Sequence, residues 1–141
     1  MAAPDDVITA LREALRVSPT NLPLRMHLAA TLLGYARAEE AAEQYRKIVE
    51  LSPNDPAPKL GLAEACFQLG KSSQALVIVE DLIKRPEAAA RAYLLHARLL
   101  MKSGDNDRAG RQYRKAVETD PTVADAMLAQ ELGVGLGCLD Q

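Results

Sequence analysis

Aromatic residues are scarce in this chain of 141 residues, which contains no tryptophan, one phenylalanine and four tyrosines. The hydrophobic content is nevertheless 48%, so any core must consist mainly of alanine, leucine and valine. Such side chains suit closely packed helices better than the layers of a β-sandwich or barrel. The length corresponds to one domain that can bury most of its apolar side chains. The composition therefore favours an all-helical domain.

Cysteine and histidine are equally scarce, with Cys66, Cys138, His27 and His96 as the complete set. Their spacing matches neither a zinc site nor a disulfide framework, and a reduced, cytoplasmic setting is the simplest interpretation. Cys66 falls on an expected core position, and His96 is expected to be a packed, hydrogen-bonded histidine. No Ser/His/Asp or Cys/His set has catalytic spacing. The sequence therefore predicts no catalytic residue, no metal, no cofactor and no enzymatic activity.

The chain also lacks a strong charge of one sign and a long hydrophobic run. Its net charge is −2 and its isoelectric point is about 5.7, so no overall positive field attracts a nucleic-acid backbone. The first ten residues, MAAPDDVITA, carry acids where a secretory signal carries bases. No apolar run approaches the length that spans a bilayer. We expect a soluble protein that binds neither nucleic acid nor membrane.

What the sequence does contain is a period of 34 residues. Two sets of alanines recur with this spacing, one in the first helix and one in the second helix of each predicted hairpin. A small residue at such positions lets two helices approach closely, while larger neighbours fill the space around it. The six alanines are Ala29, Ala63 and Ala97 in the first set and Ala41, Ala75 and Ala109 in the second.

A helix, a tight turn and a second helix with this period resemble the tetratricopeptide repeat (TPR) family along nearly the whole chain. The family pattern W-x2-L-G-x2-Y…A-x3-F…A…P is weakened, since tryptophan is absent and alanine replaces the first-helix glycine. In the turn of the first repeat, Ala36 takes the usual place of the glycine. The matching residues are Arg25, Leu28, Ala29, Leu32, Ala41, Tyr45, Ile48 and Pro53 in repeat one; Lys59, Leu62, Ala63, Cys66, Ala75, Val79 and Leu82 in repeat two; and Tyr93, His96, Ala97, Leu100, Ala109, Tyr113, Ala116 and Pro121 in repeat three.

The resemblance implies an all-α fold, a right-handed α-solenoid of helix-turn-helix hairpins. We expect a single TPR domain over residues 1–132, with three repeats between a half-repeat helix and a capping helix. The first helix of repeat three is expected to begin early, at Pro86. The boundaries are 4–19 for the half-repeat helix, 22–55, 56–89 and 90–123 for the repeats, and 122–132 for the capping helix. The helices of the repeats are expected near 22–35, 38–51, 57–69, 72–84 and 106–119.

The segment 133–141, GVGLGCLDQ, resembles a phosphate-binding loop only in its glycines. Such loops need a strand before them and a helix after them, and the P-loop also needs a lysine. Here a predicted helix precedes the segment and the lysine is absent. We expect a flexible tail or linker, with Gly133 ending the capping helix.

The resemblance further implies that the first helix of each repeat lines a concave groove. We expect this groove to be apolar towards its N-terminal end and basic towards its C-terminal end. Its partner would then be a peptide segment that is partly apolar and partly acidic. The candidate residues are Pro23, Met26, Ala30 and Leu33 in repeat one; Ala57, Leu60, Glu64, Phe67 and Gln68 in repeat two; and Arg91, Leu94, Arg98, Met101 and Lys102 in repeat three.

A well-known use of the family is a carboxylate clamp for the C-terminal tail of heat-shock chaperones. Met26 and Ala30 stand where that clamp has lysine and asparagine, and Gly61 replaces its second asparagine. Only Arg91 suits the clamp. A chaperone tail is therefore disfavoured as the partner.

These observations predict a non-enzymatic protein–protein interaction module, an adaptor or scaffold that binds a partner's peptide in the groove. Two alternatives stay open. One is that this chain is the N-terminal regulatory or assembly domain of a larger enzyme, such as an ATPase. GVGLGCLDQ would then lead into the enzyme's next domain. The other is a scaffold that forms homo-oligomers through an exposed end helix.

Overall fold

A computed structural model of the chain describes residues 3–133. Over this range the chain is helical, with eight α-helices, one short 3₁₀ helix and no strand. Short connections join consecutive helices, which is the arrangement of helical hairpins. The helices are α1 (Pro4–Val17), α2 (Leu22–Gly34), α3 (Ala38–Leu51), α4 (Pro56–Gln68), α5 (Ser72–Ile83), α6 (Ala90–Lys102), α7 (Asn106–Thr119) and α8 (Ala126–Glu131), and the 3₁₀ helix Pro121–Val123 lies between α7 and α8.

Local signals in the sequence explain where several helices begin. Proline lies in the first turn of α1, α2 and α4, where its missing N–H costs no hydrogen bond. The Asn21 side chain accepts a hydrogen bond from the Leu24 N–H at 3.1 Å, and Asp105 accepts one from the Arg108 N–H at 3.3 Å. Each cap satisfies an N–H that has no partner inside its helix.

The turns after α2, α4 and α6 share one backbone geometry. Ala36, Gly70 and Gly104 have φ angles of 62°, 78° and 91°, in the left-handed region. After each of them, the next N–H donates to a carbonyl five residues back at 2.9 Å, as from Arg37 to Leu32. This hydrogen-bond pattern is the Schellman motif, which reverses the chain after a helix. The sequence interpretation of Ala36 as the residue in the glycine position is confirmed.

All six periodic alanines are completely buried, with exposed fractions of 0%. They lie on α2, α4 and α6 for the first set and on α3, α5 and α7 for the second. A larger side chain at any of these positions would meet a filled core. The predicted role of the small residues in helix contact is confirmed.

The chain divides into two compact units at a boundary after Ala75, inside α5. The described residues of the first unit, 3–75, contain α1 to α4 and a core in which α1, α2 and α3 meet. Gly61 on α4 faces the ring of Tyr45 on α3, and a Cβ there would overlap this ring. The main cluster consists of Ile8, Leu15, Leu28, Ala29, Leu32, Ala41, Tyr45 and Ile48.

The described residues of the second unit, 76–133, include α6, α7, the 3₁₀ helix and α8. Tyr113 on α7 is fully buried, and its hydroxyl lies 3.2 Å from the Asp125 carbonyl oxygen and 2.9 Å from the Asp125 N–H. This pair of hydrogen bonds attaches the start of α8 to α7. The cluster consists of Ala97, Tyr113, Val117, Leu128 and Ala129.

Most predicted helices agree with the structure within two residues, and two expectations are wrong. The first helix of repeat three begins at Ala90 and not at Pro86, because the chain forms turns and irregular structure from Lys84 to Ala89. The capping helix is not continuous over 122–132: a 3₁₀ helix ends at Val123 and α8 begins at Ala126. Asp125 caps α8 and so starts a new helix at that point.

The predicted end of the capping helix agrees with the structure, since α8 ends at Glu131 and Gly133 has a φ of 68°. The expectation of a flexible tail concerns 133–141, of which 134–141 lie outside the described residues, as does Cys138. The division into one domain of three repeats with two flanking helices stays a prediction.

Candidate functional site

In the first unit, the predicted groove residues lie on two helices that contact each other, α2 and α4. Pro23, Ala30, Ala57 and Gln68 are exposed, whereas Met26, Leu33, Glu64 and Phe67 are half-buried. Leu60 does not belong with them, because its exposed fraction is 8% and it is a core residue. Six of the remaining residues form what we call the α2/α4 surface: Met26, Ala30, Leu33, Glu64, Phe67 and Gln68.

The apolar members of the α2/α4 surface rest on the core beneath them. Met26 and Leu33 both pack against the main cluster of the first unit. Leu33 also contacts a second cluster formed by Ala38, Ala42 and Ala65. Glu64 and Phe67 each take part in an interaction within the fold. These contacts hold the side chains in place while part of each apolar surface stays open to water.

In the second unit, the predicted basic residues lie on α6. Arg91 and Lys102 are exposed, and Leu94, Arg98 and Met101 are half-buried. We call these five residues the α6 surface. Leu94 and Met101 pack against the cluster that contains Leu128 of α8. The α6 surface is therefore partly occupied by α8.

Arg98 has a partner that the sequence did not indicate. Its Nη2 lies 3.1 Å from Asp125 Oδ2, across 27 residues of sequence. The side chains of both residues are more than one-third exposed, so the ion pair is accessible to competing anions. In the sequence, Asp125 can be recognised only as a residue that suits the start of a helix. This local property gives no information about a distant arginine.

His96 is buried in the second unit, with an exposed fraction of 2%. Its Nδ1 lies 2.8 Å from Gln112 Nε2. Burial lowers the pKa of His96 below 6.5, with a smaller lowering effect from Arg108 and an opposing effect from Glu80. The prediction of a packed, hydrogen-bonded histidine is confirmed, as is the prediction that Cys66 lies in the core.

No group of three His, Cys, Asp or Glu side chains within residues 3–133 could hold a metal ion. No helix in the same range is long and apolar enough to cross a bilayer.

Known protein families explain the 34-residue period and the three matching turns. Two family models described as tetratricopeptide repeat match the chain, one over residues 32–99 and the other over residues 90–123. The chain belongs to the tetratricopeptide repeat family. TPR proteins generally mediate protein–protein interactions.

A fungal TPR protein resembles part of the chain. The small glutamine-rich tetratricopeptide repeat-containing protein 2 of Mycosarcoma maydis is 33% identical over 82 residues, which is 58% of this chain. The matched region is 23% of that protein, so the chain corresponds to less than a quarter of this relative.

Solved structures show the same TPR fold. TTC0263, a thermophilic TPR protein of Thermus thermophilus, aligns with a TM-score of 0.79 and 23% identity, covering 92% of this chain and 75% of that one. MamA from Desulfovibrio magneticus RS-1 aligns with a TM-score of 0.75 and 21% identity, covering 92% of this chain and 72% of that one. The predicted fold class, an all-α TPR solenoid, is confirmed.

Proposed function

We propose that this TPR protein is a non-enzymatic adaptor that binds a peptide segment of a partner protein on the α2/α4 surface. The observation that carries the proposal is the exposure of apolar side chains on two neighbouring helices. Met26, Leu33 and Phe67 are each partly open to water, and Ala30 between them is exposed. Together they offer an apolar surface, and a ligand can approach the backbone of α2 at Ala30, which lies one helical turn from Met26 and from Leu33.

The chemistry of the α2/α4 surface suits a mostly apolar segment. Phe67 can supply the large buried contact that often dominates binding energy at interfaces. Met26 adapts its shape to the ligand because its side chain is unbranched and polarisable. Glu64 and Gln68 add polar groups at the side of α4, and Gln68 is exposed. Hydrogen bonds from such groups would fix the orientation of the peptide.

For the α6 surface we propose that Arg91, Arg98 and Lys102 favour an acidic partner segment. An acidic ligand at Arg98 must compete with the Asp125 carboxylate, which already lies 3.1 Å from the guanidinium. Exposed ion pairs contribute at most about 1 kcal/mol, so displacement costs little. Met26, Ala30 and Gly61 stand where the carboxylate clamp has lysine and asparagine. This difference argues against a chaperone tail as the partner.

Site-specific photo-crosslinking tests the proposal on the α2/α4 surface. A photoreactive amino acid is placed at Ala30 or at Gln68, both exposed, and the protein is irradiated in native lysate. The matched controls carry the same amino acid at Glu43 or Arg46, which are exposed on α3. We expect a partner to be captured from positions 30 and 68 and not from positions 43 and 46.

The captured segment is then synthesised as a peptide and titrated against the wild type and the Ala30→Arg variant. A long charged side chain at the centre of the surface should lower the affinity about tenfold or more, because it blocks contact and leaves a charge in an apolar interface. Equal capture from α3, or equal affinity of both proteins for the peptide, contradicts the proposal.

A further inference from the structure

A cationic pocket lies in the first unit, where α1, α2 and α3 meet, and the sequence interpretation did not include it. The pocket is a shallow depression that is largely open to solvent, and its volume is about 270 Å³. Four of its lining residues are basic and none is acidic, although the whole chain has a net charge of −2. The lining consists of Arg12, Leu15, Arg16, Pro19, Arg25, Leu28, Gln44 and Lys47.

Arg25 is held in the pocket wall by neutral groups. Its Nη1 donates to Gln44 Oε1 at 2.7 Å, and its Nη2 donates to the Pro19 carbonyl oxygen at 3.2 Å. Its Nε is buried and has no acceptor within the part of the chain that the structure describes. Gln44 is itself buried, with an exposed fraction of 7%. A half-buried guanidinium is thus fixed in position, and no carboxylate among residues 3–133 forms an ion pair with it. This arrangement is unfavourable for a charge unless an anion joins it.

The other three cations are only weakly neutralised. The carboxylate nearest to Arg12 is that of Glu40, at 3.9 Å, and Glu40 is bound more closely by Arg37 at 2.6 Å. Arg16 pairs with Glu13 one turn earlier on α1, but both side chains are more than 60% exposed. Such a pair contributes little and exchanges readily.

Lys47 forms no ion pair within residues 3–133 and completes the pocket from α3. The pocket therefore carries more positive charge than its surroundings neutralise. An anion that reached Arg12, Arg25 and Lys47 together would relieve this excess.

We propose that this pocket binds a phosphomonoester dianion. Three arginines and one lysine in the lining of one small volume suit a group with two negative charges and several acceptor oxygens. A single carboxylate would leave most of the positive charge unmatched. The proposal is independent of the peptide surface on α2 and α4.

The size and floor of the pocket limit the ligand further. Pockets for drug-sized molecules have volumes of about 300–1,000 Å³, and the volume here holds a small group such as a phosphorylated side chain or the phosphate of a small ester. Leu15 and Leu28 form an apolar floor, with exposed fractions of 8% and 0%. That floor favours an ester with an apolar portion next to the phosphate.

Binding is tested by titrating the protein with three phosphate sources. Calorimetry and amide NMR shifts detect the binding. The probes are inorganic phosphate, O-phosphoserine and the pentapeptide Ala-Leu-phosphoSer-Leu-Ala. Low salt of about 50 mM limits screening of the exposed charges. The reference peptides carry serine or glutamate in place of phosphoserine. We expect binding of the phosphorylated probes, with amide shifts at Arg12, Arg25 and Lys47.

Charge-neutralising variants locate the site. Lys47→Gln and Arg25→Gln should each raise the dissociation constant about tenfold, because each removes a hydrogen bond to a charged group. Arg46→Gln is the matched control, since Arg46 is the exposed neighbour of Lys47 on α3 and does not line the pocket. If Arg25→Gln disturbs folding, Lys47→Gln alone tests whether the pocket binds the phosphate. The replacement of Lys47 breaks no ion pair in the described part of the chain.

The pH dependence separates a dianion site from a general anion site. The second pKa of a phosphomonoester is about 6, so affinity for the phosphopeptide should fall between about pH 7.5 and 5.5, where the dianion takes up a proton. Stronger binding of the phosphopeptide than of O-phosphoserine supports a phosphorylated protein as the source. Equal binding of the two supports a small phosphate ester.

Three results overturn the proposal. The first is the absence of binding by every phosphorylated probe at low salt. The second is equal affinity for the glutamate and phosphoserine peptides. The third is an equal loss of affinity in Arg46→Gln and Lys47→Gln, which would indicate a diffuse surface charge and no defined pocket.

Discussion

At the scale of single residues, the three equivalent turn positions 36, 70 and 104 provide a direct stability test. Ala36 occupies the left-handed region with a φ of 62°, where Gly70 and Gly104 stand in the other two turns. An L-residue pays about 1–2 kcal/mol in this region because its Cβ approaches the following carbonyl oxygen. Ala36→Gly should therefore raise the free energy of unfolding by about 1 kcal/mol. Urea titration followed by circular dichroism measures the change.

Gly70→Ala is the reciprocal control for Ala36→Gly. No atom lies within 4 Å of a Cβ added at Gly70, so backbone conformation is the main effect of this substitution. The variant should lose about 1 kcal/mol or more. A stabilised Gly70→Ala, or a destabilised Ala36→Gly, would show that the turns do not have the left-handed geometry described.

A second prediction for a single residue concerns His96 and the pH dependence of stability. Burial lowers its pKa below 6.5 in the folded state, so the unfolded chain binds a proton more readily than the folded one. The resulting stability is complete above the unfolded pKa and is lost as the pH falls below 6.5. One such proton changes the free energy of unfolding by at most about 1.4 kcal/mol per pH unit. Thermal melts between about pH 8 and pH 5 measure the loss.

The variant that tests this pH effect is His96→Leu. Leucine fills the equivalent positions Leu28 and Leu62 in the other two repeats, so it suits the site of His96. His96→Leu should reduce the loss of stability at low pH, because no buried imidazole remains to be protonated on unfolding. Equal slopes for the wild type and His96→Leu would contradict this account.

At the scale of the helices, Asp125 determines whether α8 forms. Its Oδ1 accepts hydrogen bonds from the N–H groups of Met127 at 3.1 Å and Leu128 at 3.2 Å, while its Oδ2 contacts Arg98. A six-residue helix has little stability of its own. Asp125→Ala should therefore fray α8, speed amide hydrogen exchange over 126–132 and reduce stability by about 1 kcal/mol.

The Asp125→Asn variant separates the cap from the charge. Asparagine keeps the cap acceptor and removes the carboxylate that pairs with Arg98. Its α8 amides should exchange almost as slowly as those of the wild type. If both variants exchange equally fast, the ion pair and not the cap holds the helix.

The helices also show where sequence reasoning succeeds and where it fails. Caps and prolines are local signals. Together with the 34-residue period they predicted the ends of α2, α3, α4, α5 and α7 within two residues. Pro86 followed by Glu87 carries the same signal as a helix start, yet α6 begins only at Ala90. Proline at a helix start is compatible with a turn as well, because both need the same φ angle.

The candidate site was less predictable than the helices, because it depends on contacts between distant residues. Helical spacing placed Met26, Ala30 and Phe67 on exposed or half-exposed positions, but it also included Leu60, which is buried. The Arg98–Asp125 pair and the convergence of Arg12, Arg25 and Lys47 arise from packing between helices. A 34-residue period contains no information about such pairs.

At the scale of the whole chain, the connections between helices differ in one place. The six residues 84–89 between α5 and α6 form turns and irregular structure, and they are the longest connection within residues 4–119. A protease needs several residues of extended backbone, which helices do not offer. Glu87 is exposed, so a glutamate-specific protease should cleave there first, before it attacks exposed helical glutamates such as Glu43 and Glu50. Limited digestion followed by mass spectrometry should show fragments 1–87 and 88–141, and Glu87→Gln should delay all cleavage. First cleavage within α3 would show that this helix opens more readily than the connection.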